Sequence, residues 1–306
     1  MTISNQPVSI KMSATITIIM FVAGLINSIC SLLTFKNKSV RNVGCGMYLF
    51  ASSITSLLTI SIFTVKFWFV VITQMNVSTR LSILRGGCKL IETFLKFFFY
   101  WDAWLNTCVA IERAFSVYKG IKFDKMKSKR AARWIIFILP FCIMATIIHE
   151  SIYRQVIDFY VTNQQSWCTT SYSRSFQNYN TTILFIHLLG PFIANLCSAL
   201  YIIIGSARRR ANAQNRQTYK QHIQEQWKEH KQLIISPLII LFLTIPRLVI
   251  SLLSGCIDVS RHPWVYLSAY FISFTPSILI FVVFVIPSSI YRKTFKESIF
   301  QLCRKQ

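Results

Sequence analysis

The sequence predicts an all-α membrane protein, a bundle of seven spanning helices followed by a short amphipathic C-terminal helix, and three observations lead there. Of its 306 residues 53% are hydrophobic and only 14% charged, a balance outside that of soluble globular chains. Apolar stretches long enough to cross a ~30 Å hydrocarbon core recur near residues 13–35, 43–73, 86–118, 132–152, 180–206, 232–254 and 264–287. About two-thirds of the 33 Lys and Arg lie in the segments after the first, third, fifth and seventh stretches, so the bias of basic residues toward the cytoplasm puts the N-terminus outside and the C-terminus inside. One domain is expected, with an outer tail over 1–12, the bundle over 13–287, and a cytoplasmic helix and tail over 288–306.

A formal net charge of +23 would point to nucleic acid in a soluble chain. Here the anionic lipid of the inner leaflet is a sufficient partner, and no zinc-finger spacing or aromatic-interleaved basic groove supports nucleic-acid binding. The first stretch follows a weakly basic start without a small-residue cleavage site and reads as a retained helix. Catalysis finds no support, since His149, His187, His222, His230 and His262 are scattered and neither a His-Glu-x-x-His nor a phosphate-binding loop occurs. No cofactor or metal ion is expected, apart from a sodium ion considered below at Asp102.

Along the chain, Cys30, Cys45, Cys108, Cys142 and Cys197 lie inside apolar stretches, where Cys is a small core residue. Cys88, Cys168 and Cys256 fall on the expected outer, oxidising side. Asn76-Val77-Ser78 and Asn180-Thr181-Thr182 are glycosylation tripeptides on that side, whereas Asn37-Lys38-Ser39 is expected inside. Pro140, Pro191, Pro237, Pro246, Pro276 and Pro287 fall within spans four to seven, and Pro191, Pro246 and Pro287 are read as hinges. Two β-prone runs, Val156–Val161 and Ser166–Tyr172, flank a polar bend and suggest a hairpin after span four. The stretch 207–231 is polar, without Gly or Pro, and reads as helix continuing from spans five and six. At the end, Tyr291, Phe295, Ile299 and Leu302 recur at helical spacing among basic residues, the pattern of a helix lying on the membrane surface. Cys303 closes it as either a palmitoylated anchor or a plain thiol.

Span three carries most of the remaining information. Cys88 and Arg113 are 25 residues apart, ~37 Å along a helix, so one stands at each membrane face. Arg113 follows an acid in Ile111-Glu112-Arg113-Ala114. Asp102, ~21 Å below Cys88, is an ionisable group near mid-membrane, which is costly and usually functional.

These features occur with Gly24-Leu25-Ile26-Asn27 in span one, Trp134 in span four, and the prolines of spans five, six and seven. Together they resemble the rhodopsin-like G-protein-coupled receptors over nearly the whole chain. Arg41-Asn42-Val43-Gly44-Cys45-Gly46-Met47-Tyr48-Leu49 is similar to the start of span two in peptide receptors related to the FMRFamide receptors. Three departures stand out. Ser52, Ser53 and Ile54 occupy the place of the family's span-two Asp, Thr244 replaces the Trp before Pro246, and Tyr291 comes one step late after Pro287.

The resemblance implies a plasma-membrane receptor that couples an extracellular ligand, expected to be a short peptide, to a heterotrimeric G protein. It pairs Cys88 with Cys168 and makes Glu112 and Arg113 a latch, with Glu225 or Glu229 as further acids and Tyr291 as part of the switch. It also implies a sodium and water pocket, for which the carboxylate is expected to have moved to Asp102, with Asn27, Ser52 and Ser53 as neighbours; a hydrogen-bonded, protonated Asp102 is the alternative. Glu92 and Lys96, spaced i, i+4 with the acid first, either neutralise each other or contact ligand. Phe99, Arg247 and Tyr270 complete the expected pocket. The family's aminergic Asp falls at Leu95, and residues 264–287 contain no Lys for a retinal Schiff base. A chemosensory receptor for small molecules is the alternative function, with a seven-helix transporter or channel behind it, for which no internal repeat is found.

Overall fold

The computed structural model describes residues 6–74, 81–158, 166–170, 172–213, 239, 242, 243, 245, 249, 271, 272 and 274–304. Its long helices are α1 (Gln6–Phe35), α2 (Gly44–Gln74), α3 (Leu81–Lys119), α4 (Lys125–Tyr153) and α5 (Arg174–Ala213). Helical residues return at 271, 272, 274–278 and 280 and pass into a π-helical turn, Phe281–Val285, before the C-terminal helix α6 (Ser289–Cys303). A two-stranded antiparallel hairpin, β1 (Arg154–Asp158) and β2 (Ser166–Thr170), joins α4 to α5. This is an all-α membrane protein of the expected architecture. Most of the sixth expected span, with Pro237, Pro246 and Arg247, lies outside the described residues, as do Asn76, Glu225, Glu229, Cys256 and Tyr270.

Among the described residues α1, α2, α4 and α5 contain stretches long and apolar enough to cross a membrane. Their outward faces are apolar too. On α4, Trp134 is 62% exposed, with Phe137, Phe141 and Ile152 beside it in the same state, the inverse of a water-soluble surface and the expected one where lipid is the solvent. The buried faces carry small polar residues, Ser28, Ser31 and Thr34 on α1 and Ser52, Ser53, Thr55, Ser56 and Thr59 on α2. Several of these hydroxyls return to their own helix, as Thr59 does to the Thr55 carbonyl at 2.8 Å. Small side chains let membrane helices approach closely.

Helix α3 is the axis of the bundle. It packs against α2, α4, α5 and β1, and it carries Glu92, Lys96, Asp102, Glu112 and Arg113 within the core-facing length that the other helices surround. Asp124 then starts α4, accepting the N–H groups of Met126 at 2.9 Å and Lys127 at 3.1 Å. Those bonds, Lys127's foremost, hold its carboxyl below the usual aspartate range.

Two expectations are corrected by the packing. Pro287 does not hinge a helix interior: it sits in the turn over 286–288 that separates the π turn from α6, because a proline cannot continue the hydrogen-bond ladder. The apolar stripe of α6 is also divided. Tyr291 and Phe295 pack into the bundle against Phe35 and Phe281, while Ile290 (72% exposed) and Phe300 (70%) form the outward apolar face.

The α1–α2 connection tests how tightly this end is built. A Cβ on Gly46 would stand 2.0 Å from the Val40 carbonyl oxygen, whereas one on Gly86 would meet nothing within 4 Å. Gly46→Ala is therefore expected to cost about 2 kcal/mol or more through a backbone clash, while Gly86→Ala, in a helix, is neutral or stabilising by about 0.5–1 kcal/mol. Thermal unfolding of the two variants in detergent checks this; equal midpoints would contradict it.

Candidate functional site

Three polar levels lie along α3, and each exists because a charged group inside a membrane bundle must be given partners. At the middle level Asp102 is 3% exposed. Ser52, Thr55 and Ser56 share one face of α2 at i, i+3 and i+4, and their hydroxyls reach Asp102 Oδ1 at 2.6, 3.2 and 3.3 Å. Ser277, from the segment before the π turn, donates to Oδ2 at 3.1 Å. Each hydroxyl has one proton. Thr55 divides its own between Asp102 and the Ser52 carbonyl at 3.0 Å, and Ser52 also lies 3.3 Å from Asn106 Oδ1.

Of the neighbours expected for Asp102, Ser52 is in contact. Ser53 instead donates to the Leu49 carbonyl at 2.8 Å, on its own helix, and the buried carboxamide nitrogen of Asn27 has no hydrogen-bond partner among the described residues. Thr55, Ser56 and Ser277 were not expected there. The first two follow from helical spacing once Ser52 is placed, but Ser277 lies 175 positions away and gives no local signal.

The second level lies toward the hairpin. Glu92 and Lys96 do not neutralise each other. Glu92 is paired with Lys66 of α2, and Lys96 Nζ reaches both carboxylate oxygens of Glu150 on α4 at 2.7 Å. Arg154, the first residue of β1, approaches the same Glu150 at 3.6 Å. Each charge is instead partnered on a different helix, Glu92 with α2 and Lys96 with α4. Lys66 and Glu150 were legible as charges within apolar spans. Nearby, Phe99 is buried with its ring edge-on to Phe274, centroids 5.6 Å apart. Cys88 is buried too, its Sγ 3.9 Å from the Gln155 carbonyl, one residue before Val156, which pairs with Cys168 across the hairpin.

At the height of Asp102, α3, α4 and α5 are tied through His187. Trp104 Nε1 donates to His187 Nδ1 at 3.0 Å, which leaves the imidazole proton on Nε2, facing Thr146 Oγ1 at 2.8 Å. The ring stacks on Tyr100 at 4.7 Å. One turn farther on, the Pro191 carbonyl accepts from Asn195 Nδ2 at 2.8 Å, and Asn195 also reaches Thr107 Oγ1 at 2.9 Å. The Pro191 carbonyl also takes the Thr107 hydroxyl at 3.4 Å, which ties α5 to α3 at the proline.

The third level is the far end of α3. Arg113 and Glu112, adjacent in sequence, turn to different partners. The guanidinium carbon of Arg113 stands 5.5 Å from the centroid of the Phe284 ring, beside the thiol of Cys45 and the hydroxyl of Tyr291. Glu112 takes a hydrogen bond from Ser128 on α4 and faces the first backbone N–H groups of α2, at Gly44 and Cys45. A helix N-terminus favours a carboxylate. Gly44 N–H in turn donates to Ser128 Oγ at 3.2 Å, and a Cβ at Gly44 would fall 2.6 Å from Glu112 Oε2. The expected Glu112–Arg113 latch is therefore replaced by separate anchors, since neighbours on a helix point about 100° apart. Tyr291, one step late in sequence, still reaches Arg113 because the turn at Pro287 and the first turn of α6 carry it there.

Asn180 lies within α5, its Oδ1 3.2 Å from His149 Nε2. Its carboxamide is thus bound between α4 and α5. Cys303 is an exposed thiol at the end of α6.

The family model described as 7 transmembrane receptor (rhodopsin family) matches residues 26–304. No curated protein matches the chain.

The Lys96–Glu150 pair permits a direct energetic test. Removing one partner leaves a largely buried charge, so Lys96→Met and Glu150→Gln are each expected to destabilise by roughly 3 kcal/mol, and the double variant by clearly less than their sum. Unfolding of the purified chain in detergent reads this, and additive losses would contradict the pairing.

Proposed function

The chain belongs to the rhodopsin family of seven-transmembrane receptors, and from that premise we propose that it is a G-protein-coupled receptor for an extracellular ligand, a short peptide. The N-terminus is outside and the C-terminus inside, at the plasma membrane, which the concentration of Lys and Arg in the connections at the Arg113 end supports. The hairpin is then the outer lid. Cys168 is the partner of Cys88, whose sulfur is disulfide-bonded and lies against the strand facing it.

The observation that carries the proposal is the way Arg113 is held. Among the described residues it makes no ion pair with an acid and rests on an aromatic face, a thiol and a phenol. A cation on an aromatic ring contributes about 0.5–2 kcal/mol, and a hydrogen bond to a charged group about 1.5–3 kcal/mol. The resting arrangement is thus separated from an alternative by only a few kcal/mol, a gap that the differential affinity of a ligand can reverse. Turning Arg113 away from Tyr291 and Phe284 presents its guanidinium to the heterotrimeric G protein, with Glu225 or Glu229 as alternative resting partners. Ligand binds between the hairpin and the level of Phe99, where Glu92 and Lys96 come closest to the outer face and Arg247 and Tyr270 complete the pocket. Asp102, with oxygen ligands converging from α2 and the seventh segment, is the site of a sodium ion that favours the resting arrangement. Asn76 carries the glycan, and Cys303 takes a palmitoyl chain.

Nucleotide exchange by a panel of heterotrimeric G proteins, driven by the full chain in lipid nanodiscs and screened with a peptide library, tests the coupling. At least one G protein is expected to respond, with Arg113→Ala lowering the response more than ten-fold at unchanged folding. No response from any G protein, or an unaltered one in Arg113→Ala, would overturn the proposal. Sodium titration addresses the second site: agonist affinity falls with sodium in the parent chain and becomes insensitive in Asp102→Asn, and equal dependence in both would remove the ion.

A further inference from the structure

At the Arg113 end, α2, α3 and α4 leave a cleft of about 340 Å³, within the size range of ligand pockets, which borders Glu112 and Ser128 but whose apolar walls have no role above. Its walls are Tyr48, Cys108, Ile111, Phe115, Ala131 and Ile135. Ile111 and Phe115 are 47% and 50% exposed, so the cleft opens sideways toward hydrocarbon rather than into the bundle.

The mouth is cationic. Lys119 and Lys127 stand on it, flanked by Lys122, Lys125, Lys129 and Arg130. Two acids, Glu112 and Asp124, line the cleft itself, and both are already engaged. Asp124 caps α4 through the N–H groups of Met126 and Lys127, and Glu112 is taken by Ser128 and the start of α2. Lys127 is 3.9 Å from Asp124, both of them well exposed, a pairing of little strength in water. The Lys119 ammonium lies 4.9 Å over the Phe115 ring. Lys119 is eight residues below Ile111, ~12 Å along α3, which separates the charged mouth from the apolar wall by the depth of a headgroup and the first part of an acyl chain.

We propose that this cleft binds an anionic phospholipid of the leaflet at the Arg113 end, its phosphate against Lys119 and Lys127 and one acyl chain along Ile111, Phe115 and Ile135. A zwitterionic lipid brings a cation of its own to the basic mouth and is disfavoured. A peptide segment would need polar partners for its backbone along a wall that offers apolar side chains. Since the wall includes Tyr48 of α2 and Cys108 of α3, the lipid fills the seam between helices rather than joining the general lipid annulus.

Native mass spectrometry of the full chain in detergent, offered equal amounts of phosphatidylglycerol and phosphatidylcholine with the same acyl chains, tests this. One phosphatidylglycerol is expected to remain bound in preference to phosphatidylcholine. Lys119→Gln with Lys127→Gln should weaken retention roughly 25-fold, from about five-fold per basic residue near an anionic surface. Ala131→Trp, which keeps every charge and fills the cleft, should weaken it comparably, whereas Lys293→Gln with Lys296→Gln on α6 should leave it unchanged. The proposal fails if both lipids are held equally, if the Lys119/Lys127 variant retains the lipid, or if the α6 variant loses it as readily. Displacement by excess inorganic phosphate would also overturn it, leaving an anion site without a lipid.

Discussion

A carboxylate buried in hydrocarbon must be surrounded by donors, and meeting that requirement at Asp102 decides how the bundle is assembled. The donors cannot come from α3, whose own N–H groups are spent on its helix. They come from one face of α2 and from Ser277, so α2, α3 and the seventh segment are drawn together at mid-membrane. Without that cradle the group would have to be neutral or the helices farther apart. The seventh segment meets the demand with an irregular backbone. Leu279 N–H is shared between the carbonyls of Thr275 and Pro276 at 3.1 and 3.2 Å, and the π turn follows, closed by Ile286 N–H on the Phe281 carbonyl at 3.1 Å. π turns of this kind are frequent at functional positions.

The same irregularity governs the far end of α3. Within the π turn Phe284 lies under Arg113, and the break at Pro287 lets Tyr291 turn back toward the same guanidinium from α6. The segment that satisfies Asp102 therefore also contacts Arg113, 11 residues away on α3. Both contacts come from one short segment, Ser277 to Asp102 and Phe284 to Arg113. The ionic cluster near the hairpin works differently: Glu150 joins Lys96 of α3 to Arg154 of β1, so the hairpin is held to the bundle by charge as well as through Cys88.

The architecture was legible in the sequence because its signals are long. Apolar stretches of about twenty residues, a one-sided distribution of Lys and Arg, and the Cys88 to Arg113 spacing survive any local ambiguity. The hairpin was legible from its β-prone runs, and Ser52 from the family resemblance, which puts it in the place of the span-two Asp. What could not be read were choices among partners at long range. Glu92 and Lys96 have ideal helical spacing, yet each found a counter-ion on another helix. Glu112 turned to the α2 N-terminus for a reason visible only when Gly44, without a side chain, is seen to approach it. Tyr291 seemed misplaced by one position until the π turn and the turn at Pro287 brought it back to Arg113.

The central claim is that α3 and the C-terminal segment hold two arrangements a few kcal/mol apart, with Asp102 and Arg113 contacting the same moving element. Pulsed electron resonance between spin labels at Lys119 and Lys296, in a chain whose exposed thiols have been replaced, measures this directly. The account predicts two distance populations whose ratio changes when a nucleotide-free G protein is added and when Asp102 is replaced by Asn. A single distance, unmoved by either change, would contradict it.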